Sequence, residues 1–275
     1  MRSKKDIWSL ALLESLREAP LLAGDLPEAP SLDRSCLGEP EGIPILNFEQ
    51  KLGHLYEDSL RALLDQSPAH PLLASGLQLG DAGGRTLGEL DFLLAEPDGR
   101  RGIHLELAVK FYLGHFDSTA WQYPGPDPRD CWQRKLDRLR DHQLRLTLDP
   151  RIYPPLLERF ALETISVRQL IYGRLFYPID ASEGPLPDGM SPNGQRGRWV
   201  YRSEWDRFFG ELQSVRMIPK PLWPVEMNPA IFETLESVAC DTALQEAAAR
   251  CVLVTTSPES EPTFVVPDAW PTLDD

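Results

Sequence analysis

Cysteine is scarce and poorly placed for chemistry. The four residues, Cys36, Cys131, Cys240 and Cys251, show no CxxC spacing and join no Cys/His cluster, which excludes a zinc site of the usual pattern. They read as thiols of a reducing compartment. Histidine is equally thin, and its five residues, including His104, have no metal-ligand spacing. Apolar runs of roughly 18 residues are missing, so no membrane span is expected. The opening MRSKKDIWSLALLESLREAP starts basic, but Glu14 breaks its apolar run and no small-residue cleavage site follows, which argues against a secretory signal. A cytoplasmic protein is expected. The shortfall with the greatest functional weight is positive charge: 28 Lys and Arg stand against 42 Asp and Glu, a formal net charge of −14. Such a surface repels nucleic acid at long range, so phosphate binding would need a local basic channel or a bridging cation.

What is present suits an α/β domain with additions at both ends, in 275 residues. An amphipathic helix is expected over Ile7–Arg17, then an irregular Pro-rich connection from Pro20 to Pro44. Residues 45–177 read as the core. Phe48, Leu52, Leu55, Ser59, Leu60 and Leu63 recur at helical spacing over Phe48–Leu64. Short strands follow at Leu77–Leu79, Leu87–Leu94 and Ile103–Leu113, with turn chemistry in Glu96-Pro97-Asp98-Gly99. A helix over Arg129–Leu148 carries the stripe Trp132, Leu136, Leu139 and Leu146, and Thr164–Tyr177 alternates as a strand. Residues 178–275 read as an extension packing on that core. It holds a loop over Pro178–Arg198, a short strand at Trp199–Tyr201, and a helix to Leu212 opened by a Ser203/Asp206 capping box. An Ala-rich helix from Asn228-Pro229 to about Arg250 and a strand at Val252–Thr255 follow, and the acidic end Leu273-Asp274-Asp275 is expected to fray.

The residues with chemical potential lie on the second and third core strands. Ile103, Leu105, Leu107 and Val109 alternate with His104, Glu106, Ala108 and Lys110, so the third strand has one apolar face and one polar face. Asp91 ends the segment Thr86–Asp91 on the neighbouring strand. Adjacent strands lie about 4.8 Å apart, so the Asp91 and Glu106 carboxylates can share one hard cation. Mg²⁺ favours one or two carboxylates plus waters and phosphate oxygens, an arrangement that activates water against a phosphodiester. Lys110 shares the face of Glu106 about 13 Å further along, with a stem long enough to reach back. Gln143 falls at the centre of the second helix's apolar stripe, where a polar group needs a partner.

At these residues the chain resembles the PD-(D/E)xK nuclease superfamily, whose core is a helix, a three-stranded meander, a second helix and a further strand. The resemblance implies a restriction-endonuclease-like fold, a mixed central sheet flanked by helices, with catalytic and metal-holding roles for Asp91 and Glu106 and Mg²⁺ or Mn²⁺ as cofactor. The pattern places its lysine at position 108, where this chain has Ala108, so Lys110 is expected to stand in for it. In Leu52-Gly53-His54-Leu55-Tyr56-Glu57, the resemblance gives Glu57 the role of an additional acid. It gives Gln143, and secondarily Lys135, the role of second-helix groups pointed into the site. The stretch GELDFLL…HLELAVKFYL, with Lys135…His142-Gln143 behind it, also resembles the bacterial domain of unknown function 1853 family over about Phe48–Tyr177.

Three readings remain open. The first is a Mg²⁺-dependent nuclease acting on DNA or RNA. The second keeps the fold without the reaction and binds nucleic acid or nucleotide, motivated by the displaced lysine. The third is a protein-interaction module, favoured by acidity and Pro-rich loops. Bland alternatives accompany them: a solvated acid pair for Asp91 and Glu106, a surface lysine for Lys110, a helix-surface carboxylate for Glu57, and a core hydrogen bond for Gln143.

Overall fold

Helix α1 (Lys4–Glu18) starts where Ser3 and Asp6 form a reciprocal capping box, each side chain accepting from the other's backbone N–H. The computed structural model describes residues 2–39, 42–67, 69–81, 83–181 and 184–272. The acidic end expected to fray, Leu273-Asp274-Asp275, therefore lies outside the described residues. Helix α2 (Leu52–Leu64) buries Leu52, Leu55, Tyr56, Ser59, Leu60 and Leu63 along one side, as its periodicity predicts. Phe48 precedes it in a turn instead of opening it.

Strands β1 (Leu72–Gly80), β2 (Thr86–Ala95) and β3 (Arg101–Leu113) form an antiparallel meander. The small hairpin of β4 (His115–Phe116) and β5 (Trp121–Gln122) leads to α3 (Trp132–Asp141). The helix expected over Arg129–Leu148 is broken: at His142 the backbone turns to φ −132°, ψ −67°, and Gln143–Leu148 continues as a 3₁₀ turn. A straight helix would carry residues 143–147 away from the sheet. The break lays them against it, where Thr147 meets His104 and Gln143 meets Glu106. Helix α4 (Tyr153–Phe160) follows, with Pro154 and Pro155 in its first turn, where their missing N–H groups have no helical partner to lose.

Strand β6 (Thr164–Pro178) pairs in parallel with β3 along the whole length of β3, from Arg101↔Thr164 to Leu113↔Phe176. Strand β7 (Gln195–Tyr201) is longer than its aromatic end predicts. The Ser203/Asp206 capping box is not formed: the Ser203 N–H donates to Asp268 at 2.8 Å, and α5 (Trp205–Phe209) follows a 3₁₀ turn. Strand β8 (Ser214–Met217) comes next. The Ala-rich helix expected up to Arg250 is three elements, α6 (Pro229–Phe232), β9 (Glu236–Ala239) and α7 (Cys240–Ala247), because Glu236–Ala239 pairs with β8. Strands β10 (Val252–Thr255) and β11 (Thr263–Val266) complete the fold.

Among the described residues the chain is α/β, built on a nine-stranded mixed sheet in the order β1-β2-β3-β6-β7-β11-β10-β8-β9. Residues beyond 178 therefore supply five strands to the same sheet as the meander. Helices α1 and α2 cover one face around Leu55, Leu60, Leu105 and Leu170, while α3 and the 3₁₀ turn cover the other around Trp132, Leu136, Leu144 and Ile171. Among the described residues no helix is long and apolar enough to cross a membrane.

One glycine fixes the strand that carries the polar face. Gly173 faces Lys110 across the β3–β6 ladder at φ +134°, and a Cβ there would overlap the Lys110 carbonyl. Both the backbone angle and the space exclude a side chain. Gly173→Ala should cost about 3 kcal/mol or more, read as a lowered urea midpoint at unchanged slope; a midpoint equal to wild type would contradict this packing.

Candidate active site

The β2–β3 ladder holds register from Ala95↔Gly102 to Phe92↔Leu105 and then stops. Beyond it β2 stays with β1, through Leu90↔Leu77 and Glu89↔Gln78, while β3 stays with β6, through Glu106↔Gln169 and Leu107↔Leu170. The two strands part like a fork at Asp91. A main-chain N–H orphaned in such a fork needs an acceptor, and the Asp91 Oδ2 supplies it, taking the Leu107 N–H at 2.8 Å. Asp91 is thereby held opposite Glu106 by the architecture of the sheet.

Glu106 is 1% exposed on the α3-covered face of β3. The break after α3 aims Gln143 at it. Gln143 donates from Nε2 to Glu106 Oε1 and accepts on Oε1 from Lys135 Nζ at 2.8 Å, while the Lys135 ammonium itself stands 4.0 Å from Glu106 Oε1. This chain of donors has a fixed direction, Lys135 to Gln143 to Glu106. Among the described residues it leaves Glu106 Oε2 buried with no hydrogen-bond partner.

The electrostatics follow from crowding. Burial pushes the Glu106 carboxyl well above the usual range and repulsion by Asp91 adds to it, opposed by Lys135, Arg138 and Gln143. Burial also raises Asp91; the Leu107 amide opposes this, and the Glu57 carboxylate adds repulsion. Lys135 is pushed down by burial against the attraction of Glu106, with Lys110 contributing further repulsion. Two acids that hold protons too tightly beside an amine that holds its own too loosely mark a site under electrostatic tension.

Beyond Lys135 the polar centre opens into a cavity of about 380 Å³ lined by Arg129, Arg134, Lys135, Arg138 and Gln143, with the Lys110–Asp130 ion pair on its wall. Arg134 is anchored through main-chain carbonyls, at 2.6 Å to Arg129 and 3.5 Å to Pro128. A protein with a net charge of −14 thus carries a concentrated basic pocket beside its buried acids. Among the described residues no group of three or more His, Cys, Asp or Glu side chains is arranged to hold a metal ion; the acids at the fork are a pair.

A family model described as domain of unknown function (DUF1853) matches residues 10–264. The chain belongs to the DUF1853 family. No curated protein and no solved structure matches it.

In this DUF1853 chain the structure brings Asp91, Glu106 and Gln143 together and adds Lys135 to them. Glu57 lies near enough to act on Asp91 by charge, while its Oε2 stands 3.4 Å from His54 Nδ1. Lys110 is elsewhere: its ammonium sits 2.6 Å from Asp130, whose other oxygen accepts from the Tyr112 hydroxyl at 3.3 Å. A lysine two residues along a strand keeps its face but moves nearly 7 Å, and here Asp130 captures it. His104 is buried, pairs through Nδ1 with Thr147 at 3.2 Å, and is lowered to about 4 by burial, so it is a neutral core residue of the DUF1853 fold. Sequence reasoning missed Arg129, Arg134 and Arg138. A signal was present: Arg134, Lys135 and Arg138 fall at helical spacing on one side of α3.

Proposed function

We propose that the protein is a metal-dependent phosphodiesterase acting on nucleic acid, with a restriction-endonuclease-like arrangement of its core. The observation that carries this reading is the convergence of Lys135 on the Asp91–Glu106 pair, bridged by Gln143, at the mouth of a basic pocket. The lysine displaced from position 108 on the strand has a functional replacement on the helix.

The acids suit a divalent cation. Glu106 Oε2 is buried without a partner among the described residues and Asp91 spends one oxygen on Leu107, which leaves acceptors from both carboxylates for one hard ion. Asp91 and Glu106 would hold Mg²⁺ or Mn²⁺, which when bound polarises the phosphoryl oxygen and lowers the pKa of an attacking water. Arg134, Arg138 and Lys135 draw the phosphodiester into the pocket against the field of an acidic surface. Gln143 fixes both Glu106 and the Lys135 ammonium, so neither must reorganise as charge develops. The remaining N–H groups of Lys135 stabilise the negative charge that gathers on the phosphorus oxygens as water bonds to phosphorus and the bridging oxygen departs.

Asp91→Ala should abolish cleavage of DNA or RNA substrates in Mg²⁺ or Mn²⁺ and remove the metal-binding heat seen by calorimetry. A broad substrate panel left intact by the wild-type protein, or cut equally by the variant, would overturn the proposal. A second reading is favoured by the raised proton affinity of Glu106, which opposes metal capture at neutral pH: nucleic-acid binding without turnover. Under it, binding persists in EDTA and Asp91→Ala leaves affinity unchanged.

A further inference from the structure

The basic pocket does not end at Lys110 and Asp130. The same two residues line a second cavity, of about 620 Å³, whose walls are largely apolar. Its walls include Phe48 and Leu52 at the start of α2, Val109 and Phe111 from β3, and Pro126 and Trp223 from loops. Phe48, Val109, Pro126 and Trp223 are only partly buried. Trp223 is held rigidly: its indole N–H donates to the Ile218 carbonyl at 2.9 Å, and Phe111 and Phe264 pack against it edge-on, with ring centroids at 5.3 and 4.8 Å. The two acids of the cavity are neutralised in place, Asp130 by Lys110 at 2.6 Å and Asp127 by Arg129 at 2.7 Å. Lys51 and Lys220 also line it, the Lys220 ammonium 5.7 Å from the centroid of the Trp223 ring, so the groove is an aromatic-walled apolar slot with a positive edge, and it opens beside the pocket that holds Arg134, Lys135 and Arg138.

We propose that this groove receives an unpaired nucleobase adjoining the phosphate held in the basic pocket, so that the ligand is single-stranded nucleic acid. The inference rests on the phosphodiesterase reading for the role of the basic pocket. Nucleic acid alternates anionic phosphates with flat apolar bases, and the two adjoining cavities repeat that alternation. A paired base cannot enter: its partner and the stacked neighbours keep it inside the duplex, and extracting it costs unstacking and unpairing. A single strand offers its bases freely, and a base seated against rigid aromatic and proline surfaces gains roughly 5- to 150-fold in affinity. The groove's volume is that of an ordinary small-ligand site.

The fold supplies a clean probe at Gly53, the second residue of α2, which lines the groove. A Cβ there would meet nothing nearer than a Glu57 oxygen at 4.0 Å. Gly53→Phe would push a ring into the groove while improving helix propensity, so lost binding cannot be ascribed to a weakened fold. Binding is measured by fluorescence anisotropy in EDTA at low salt, with fluorescein-labelled 12-nucleotide DNA and its RNA counterpart. The tighter of the two is compared with a blunt duplex of the same chemistry and with an abasic strand of equal length. We expect the single strand to bind at least tenfold tighter than the duplex or the abasic strand, and Gly53→Phe, with an unchanged or higher melting temperature, to erase that difference. Equal or tighter duplex binding, equal binding of the abasic strand, a preference that survives Gly53→Phe, or no binding at all would overturn the inference. Because no turnover is needed, the result separates from the parent reading. A single-strand binder that never cuts fails the phosphodiesterase alone, and a duplex-preferring protein that cuts fails this inference alone.

Discussion

Glu106→Gln is expected to eliminate metal-dependent cleavage and at the same time make the protein more stable at alkaline pH. The two effects have one cause, the confinement of a carboxyl group where its charged form is disfavoured. Below a pH of about 4, Glu106 is protonated in both folded and unfolded chains and the confinement costs nothing. As the pH rises the unfolded chain releases its proton first, so the folded state loses stability until Glu106 itself ionises, at its raised folded value. Glutamine has no proton to release and still accepts from Gln143, so the variant should lack this decline and melt about 5 °C or more above wild type at pH 9. Its activity should fall by about three orders of magnitude, since one of the two carboxylates proposed to hold the cation is gone. On the proposed reading metal and proton compete for Glu106, so metal affinity should climb with pH across the range where Glu106 still holds its proton. Thermal melts from pH 5 to 9, paired with metal titrations, read both effects. A variant whose stability profile parallels wild type would show that Glu106 ionises freely in the folded chain.

Two lysines compete for the role left open at position 108, and the second large effect separates them. Lys135→Met should lower the rate by about 100- to 1,000-fold, the scale of losing one preorganised donor at the reacting centre. Lys110→Met should cost less than about tenfold, because the Lys110 ammonium is committed to Asp130 and only borders the basic pocket. A role in mere packing would predict lost stability with an unaltered pH dependence. Removing the Lys135 charge instead deprives Glu106 of an attraction that opposes its raised proton affinity, so the acidic limb of the pH–rate profile should move to higher pH. Single-turnover rates over pH 6 to 9 for both variants make the comparison. Equal losses, or a greater loss for Lys110→Met, would return the catalytic role to the strand.

The meander and its polar face were legible because strand alternation has a period of two and is written in local sequence: Ile103, Leu105 and Leu107 against His104, Glu106 and Ala108. Helix α2 was legible for the same reason at its own period. Gln143 was legible as an anomaly, a polar residue in an apolar stripe, although the helix expected to carry it is broken one residue earlier. The Ala-rich segment after Asn228 misled because Ala, Glu and Gln are good helix formers, while Glu236–Ala239 is decided by the strand edge that β8 offers.

The sequence by itself determined that Asp91 and Glu106 stand on neighbouring strands, that a glutamine from the following helical segment needs a polar partner, and that an acidic chain requires local help to meet phosphate. Only the tertiary structure decided which lysine stands beside the acids. Lys110 and Lys135 are both long, charged and close in sequence, and what separates them is the company each finds: Asp130 beside the first, Gln143 and Glu106 beside the second. Likewise only folding gathered Lys110 from a strand, Arg129 from a loop and Arg134, Lys135 and Arg138 from a helix into one pocket, because charge composition sums over the whole chain whereas a phosphate responds to the few charges nearest it.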